Sequence, residues 1–165
     1  MANIKLELVN VRKEFGELTA VNDVNIAIEE SETMALLGPS GCGKSTILNM
    51  IVGLESPTSG DILIDGKSVL DVPPGERNIG LVFQDYAVFT HMTVRNNLAY
   101  GLKIRKMAQP EIDREINKVA EFLSITHQLD RKPDELGASE LQRVAIGRTL
   151  VTSPQILLLD EPLSN

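Results

Sequence analysis

The sequence predicts an α/β fold: a β-rich N-terminal part leads through a glycine loop into a helix, followed by a helical insert and a return to the core. Three observations carry this. Apolar residues alternate near the N-terminus, a glycine-rich loop lies between a strand pattern and a helix pattern, and the apolar spacing turns helical from about Thr93 to Leu150.

Taken in order, Ile4, Leu6 and Leu8 alternate, as do Val24, Ile26 and Ile28, predicting two half-buried strands. Thr33 to Leu37 reads as a short buried strand. It runs directly into Gly38-Pro39-Ser40-Gly41-Cys42-Gly43-Lys44-Ser45-Thr46, after which Ile47, Leu48, Ile51 and Val52 fall at helical spacing. Asp65-Gly66 predicts a hairpin turn between Ile62, Ile64 and Val69, and Ile79 to Phe83 a buried strand. Ile112, Ile116, Val119 and Leu123 lie on one helical face, and Leu141, Val144, Ala145 and Leu150 suggest another. A last buried strand, Ile156 to Leu159, ends in Asp160-Glu161-Pro162.

The chain has 165 residues, 42% of them apolar, enough for a compact core. Sixteen Lys and Arg against 23 Asp and Glu give a net charge of −7, which argues against charge-driven binding to nucleic acid or anionic lipid. At 4% aromatic residues with no Trp, stacking platforms for single strands have little to be built from. A single cysteine cannot form an internal disulfide, and Met1 to Asn10 lacks the charged and apolar regions of a secretion signal, so a cytoplasmic location is expected. The apolar run Ile156 to Leu159 is far short of the ~20 residues that span a bilayer.

The loop Gly38 to Ser45 fits G-x-x-x-x-G-K-[ST], the P-loop or Walker A pattern. Its glycines let backbone N–H groups curl around phosphate oxygens, Lys44 adds a cation, the Ser45 hydroxyl can ligate Mg²⁺, and the helix that follows offers its positive end. Asp160 at the tip of an apolar strand can hold Mg²⁺, and Glu161 beside it can orient or deprotonate the attacking water. This is the Walker B arrangement.

Further stretches complete a resemblance: Pro57-Thr58-Ser59-Gly60, Glu76-Arg77-Asn78-Ile79, Val82-Phe83-Gln84-Asp85-Tyr86-Ala87, His91-Met92-Thr93-Val94, Gln142 to Leu150, and Leu158 to Asn165. With the loop Gly38 to Thr46, they make the chain resemble the nucleotide-binding subunit of ABC transporters, most closely the ATPase subunits of maltose-type carbohydrate importers. That resemblance implies a P-loop NTPase fold, a RecA-like core with an N-terminal antiparallel β subdomain and a helical insert. It divides the chain into an ATP-binding core (1–84), a helical subdomain with coupling groove and signature (85–140), and a return to the core with Walker B (141–165). By the same resemblance, Phe15 stacks on adenine, Gln84 touches Mg²⁺ and the attacking water, and Tyr86 to Val94 line a groove for a coupling helix. ATP and Mg²⁺ are the implied cofactors. The implied partners are transmembrane permease subunits, a second ATPase subunit in a homo- or heterodimer, and indirectly a solute-binding protein, with no nucleic acid; the place is the inner face of the cell membrane.

Two departures qualify the resemblance. Where the family writes Ser-Gly-Gly-Gln, a signature that binds the γ-phosphate held by the other subunit, this chain has Gly137-Ala138-Ser139-Glu140. Gly137 lacks the hydroxyl, Ala138 adds a Cβ where backbone approaches phosphate, and Glu140 brings a carboxylate; Ser139-Glu140 reads locally as a good helix start. The family also continues beyond Asn165 into a strand ending in a γ-phosphate-binding His, a role that neither His91 nor His127 matches. The sequence is therefore expected to be C-terminally truncated, its central sheet incomplete after the Walker B strand. A nucleotide-binding but hydrolysis-deficient paralogue or fragment stays open beside the active ATPase. A soluble ABC ATPase of DNA repair or translation is less well matched, since no basic stripe is present.

Overall fold

A computed structural model of the chain describes residues 3–160. The chain divides into two compact units, Met1–Asn78 and Ile79–Asn165.

In the first unit, β1 (Ile4–Phe15) and β2 (Leu18–Glu29) form an antiparallel hairpin. β1 also pairs with β3 (Ser59–Ile64), which turns into β4 (Lys67–Ser68), giving the order β2-β1-β3-β4. Asp65 and Gly66 join β3 to β4 at φ 50 and 72, the two left-handed positions that a tight hairpin of this twist demands. Leu6 stands between Ile28 and Ile64, and Leu8 between Ile26 and Ile62, so apolar rows run across the sheet.

Strict alternation would next turn Asn10 inward. Instead the register shifts after Leu8, Asn10 takes φ 49, and Val11 becomes the fully buried residue. The Asn25 side-chain oxygen accepts the Asn10 N–H at 2.8 Å, which satisfies the displaced backbone. Gly60, at φ 88, crosses so close to this bulge that a Cβ would lie 2.3 Å from the Asn10 carbonyl oxygen.

Helix α1 (Lys44–Val52) begins after Gly43 and buries Ile47, Met50, Ile51 and Val52. Its far end is closed by Arg77, itself buried. The Arg77 guanidinium donates to the carbonyls of Met50 (3.0 Å), Ile51 (2.9 Å) and Val72 (2.8 Å). A cation on the last carbonyls has the sign that the helix dipole favours. Gly53 leaves room for it, since a Cβ there would meet Arg77 Cζ at 2.7 Å.

The strand expected over Thr33 to Leu37 is not formed: residues 33–37 carry no ladder, and Leu37 is 91% exposed. A strand exists only by pairing, and among the described residues none pairs with this segment.

In the second unit, β5 (Ile79–Val82) and β6 (Ile156–Leu159) run parallel, Ile79 opposite Ile156 and Val82 opposite Leu159. Both were expected to be buried runs, but Leu157, Leu159 and the following Phe83 are exposed. A parallel strand is buried throughout only with neighbours on both edges and layers on both faces, and among the described residues this sheet has two strands. The described part of the unit also holds the α-helices α2 (Val94–Ile104), α3 (Gln109–Phe122) and α4 (Ala138–Leu150), with short 3-10 turns at Thr126–Gln128 and Pro133–Glu135. Leu98, Leu102, Ile116, Ile125, Val144 and Val151 form their shared core. Gly147 lets α2 close on α4, because a Cβ there would meet Leu98 Cδ2 at 2.8 Å.

Candidate nucleotide site

The loop Gly38 to Lys44 turns through Gly41 at φ 80 and Gly43 at φ 97. Gly43 is required twice over: it takes a left-handed conformation, and a Cβ would lie 2.5 Å from the Ala20 carbonyl oxygen of β2. Lys44 Nζ folds back over the loop, donating to the carbonyls of Gly38 (2.8 Å) and Pro39 (2.9 Å) and lying 3.6 Å from Cys42 Sγ. Ser45 and Thr46 follow in the first turn of α1. Ser40, Gly41 and Cys42 are exposed. One anion-seeking ammonium, a ring of loop amides and a helix N-terminus therefore share one solvent-accessible point, a disposition suited to phosphate.

Phe15 closes the β1–β2 hairpin whose second strand touches Gly43. The residue is 46% exposed, and Lys13 Nζ stands 4.8 Å from the ring centroid. An exposed aromatic face on the hairpin beside the loop is the kind of surface on which a base stacks.

In the second unit, the Asp160 N–H donates to the Val82 carbonyl at 3.0 Å, continuing the ladder by one residue. Gln84, two residues after Val82, thus emerges at the same C-terminal end of the parallel pair as Asp160, the end at which α/β sheets place ligands. Glu161 lies outside the described residues. Ser45 in the first unit, and Gln84 and Asp160 in the second, each carry a side-chain oxygen, the donor type that Mg²⁺ prefers.

Beyond Gln84 the backbone is unusual. Tyr86 and Ala87 stand at φ 63 and 45, and both line a cavity of about 160 Å³ with Phe83, Asn97, Tyr100 and Arg148. The expected coupling segment, Tyr86 to Val94, therefore contributes its first residues to a real depression.

Gly137, and not Ser139, is the N-cap of α4, with Ala138, Ser139 and Glu140 forming its first turn. Glu140 reaches back: one carboxylate oxygen accepts the Gly137 N–H at 2.9 Å and the other accepts from the Gln128 side-chain amide. This is half of a capping box, the half that does not need a hydroxyl at the N-cap. Glu140 thus points at its own helix end.

Two arginines to which sequence patterning gives no role, Arg77 and Arg148, bond backbone carbonyls of other segments; a charge embedded in apolar spacing is the signal that points to them. Burial lowers the pKa of both guanidinium groups below the ordinary value, and proximity to Tyr100 acts in the opposite direction at Arg148. Arginine remains cationic at neutral pH.

The profile of the ABC transporter family matches residues 21–164. The maltose/maltodextrin import ATP-binding protein MalK of Yersinia pestis bv. Antiqua (strain Antiqua) is 52% identical over all 165 residues, and MalK of Escherichia coli (strain K12) is 50% identical. The chain spans 44% of the length of each of these relatives. Among solved structures, cbiO1 of Clostridium perfringens, part of the transporter complex cbiONQ, superposes with a TM-score of 0.89 at 29% identity, covering 99% of this chain and 67% of that one. The dimeric cassette MJ0796, bound to ADP and Pi in a post-hydrolysis state, gives 0.86 at 32% identity, covering 96% and 75%. The fold is therefore that of a P-loop ATP-binding cassette, and the chain belongs to the ABC transporter family.

Proposed function

We propose that the chain is the ATP-binding and ATP-hydrolysing cassette of an importer for maltodextrin or a similar small carbohydrate. The observation that carries this is the Gly38–Ser45 loop, with Lys44 folded over the carbonyls of Gly38 and Pro39 at the start of α1. Lys44 and the amides of Gly38, Ser40, Gly41, Cys42 and Gly43 hold the phosphates, Pro39, which has no N–H, restricts the loop backbone between them, Thr46 extends that ring of donors, and the Phe15 ring receives the adenine. Ser45, Gln84 and Asp160 would hold Mg²⁺, which when bound neutralises charge on the phosphate oxygens. Glu161 positions and deprotonates water. Residues 1–84 act as the ATP-binding core, 85–140 as the permease- and partner-facing part, and 141–165 as the return that delivers Walker B.

Among the described residues no helix is long and apolar enough to cross a membrane. In this reading the chain works on the inner face of the membrane through permease subunits, as a dimer of cassettes, with a binding protein delivering solute. The cavity at Tyr86 and Ala87 is the place offered to the permease. A test is ATP-dependent maltodextrin uptake by vesicles carrying a maltodextrin permease and the protein: uptake that needs this cassette and vanishes in Lys44→Ala supports the reading, and uptake that never depends on it sinks it.

A second reading, binding without effective hydrolysis, is favoured by one specific observation. Glu140 already holds the Gly137 N–H, so the end of α4 presents a carboxylate where the family presents a hydroxyl and glycine amides to a phosphate. We expect slow ATP turnover by this chain. Restoring the family pattern with Gly137→Ser, Ala138→Gly, Ser139→Gly and Glu140→Gln together should raise turnover by at least about 10-fold, since each charged hydrogen bond regained is worth ~1.5–3 kcal/mol. A phosphate-release assay that shows no gain in the restored chain would remove the signature as the limiting feature.

A further inference from the structure

We propose that Arg148 is a positioning residue for the segment Gln84–Phe89, tying that segment to the helix that begins at the signature residues. The proposal rests on the cassette reading above, because it treats Gln84 and α4 as two working parts of one ATPase.

Tyr86 and Ala87 are consecutive non-glycine residues in the left-handed region, at φ 63 and 45. Such a pair persists only where its surroundings hold it. Its near end is fixed to the residue that follows β5 by the Tyr86 N–H, which donates to the Phe83 carbonyl at 3.0 Å. Its far end is fixed to α2 by Asn97, whose side-chain oxygen accepts the Phe89 N–H at 2.9 Å and whose amide donates to the Phe89 carbonyl at 3.0 Å. Asn97 is 1% exposed, so this clamp is shielded from water.

Between those ends stands Arg148. Its Nη1 donates to the Ala87 carbonyl, and its Cζ lies 4.1 Å from the centroid of the Phe89 ring, which also meets Tyr100 at 4.6 Å in an edge contact and His91 at 6.1 Å. One planar cation thus engages a backbone oxygen and an aromatic face together. A lysine ammonium is a compact point charge and cannot reproduce both. Arg148 lies in the last turn of α4, and Gly137 caps the opposite end of the same helix. A displacement of the Gln84 segment is therefore transmitted along a packed rod to the signature residues, and the reverse holds equally.

Hydrogen exchange of the 165-residue chain, read by mass spectrometry with and without MgATP, tests this. In Arg148→Met, exchange over residues 86–89 without nucleotide should rise by roughly five-fold or more. The MgATP response over 137–141, present in the parent, should vanish, while ATP affinity stays within about two-fold. Arg148→Lys and Phe89→Leu should both fall between the parent and Arg148→Met, which keeps the test meaningful if the methionine variant folds poorly. A response over 137–141 that survives in all three variants overturns the proposal. So does a loss of ATP affinity in step with the loss of response, which would mark Arg148 as a packing residue only. If Lys44→Ala leaves ATP affinity intact, the cassette reading fails on its own; the tie is then judged by exchange at 86–89, and unchanged exchange there rejects it.

Discussion

Replacing Lys44 with alanine is expected to weaken ATP binding to the chain by about 100-fold, or about 2.8 kcal/mol. The ammonium is the one side-chain cation of the loop Gly38 to Thr46, and it is poised above the carbonyls of Gly38 and Pro39 at 2.8 and 2.9 Å. Phosphate oxygens carry full charge and take it in preference to neutral carbonyls. Alanine leaves the loop amides and the helix end in place, so binding should fall without vanishing. The loop is largely exposed, so the melting temperature should move little. Titration with a fluorescent ATP analogue, paired with a melting curve, checks both; an affinity loss under about three-fold would mean that phosphate does not sit at Lys44.

The second large effect is expected at Arg77, and it is one of stability. Arg77→Met removes three hydrogen bonds and leaves the carbonyls of Met50, Ile51 and Val72 beneath an apolar side chain. At about 1–3 kcal/mol for each buried group left unsatisfied, and with partial relaxation, the loss should be about 3 kcal/mol. That corresponds to a fall in Tm of about 6–12 °C for a chain of this size. Arg77→Lys, with one point charge for three oxygens, should recover less than half. Denaturant titration decides it: a loss below about 1 kcal/mol would show that water or backbone adjustment replaces the guanidinium. ATP affinity should fall with stability in this variant, in contrast to Lys44→Ala, where affinity falls alone.

Local chemistry was legible wherever a residue decides its own conformation. Asp65-Gly66 announced its hairpin because only residues tolerant of positive φ make that turn, and the Gly38–Ser45 loop announced both itself and the helix after it. Partnerships were less legible. Thr33 to Leu37 looks like a strand in composition, but strand identity is conferred by neighbours. The bulge at Asn10 is equally invisible to alternation, since it appears only when β1 is laid against β2 and Asn25 supplies the compensating bond. At α4 the sequence offers Ser139 as the natural cap, yet Glu140 can satisfy the N-cap N–H at Gly137 only if the helix begins two residues earlier, and that bond wins. Arg77 and Arg148 escaped notice for a related reason. Their roles are to satisfy carbonyls of distant segments, and a carbonyl has no letter in the sequence.

Helix α1 has nine residues, fewer than the roughly 12–15 at which an isolated helix becomes even marginal in water. It exists because both ends are held, by Gly43 and its loop at one and by Arg77 at the other. A third hold, an anion drawn to the N-terminal end, adds its binding energy to the folded unit and to nothing else, by the ordinary law of ligand linkage. The helix is thus a common ledger for folding and occupancy, and any substitution that loosens its C-terminal end is read at the phosphate end as lost affinity.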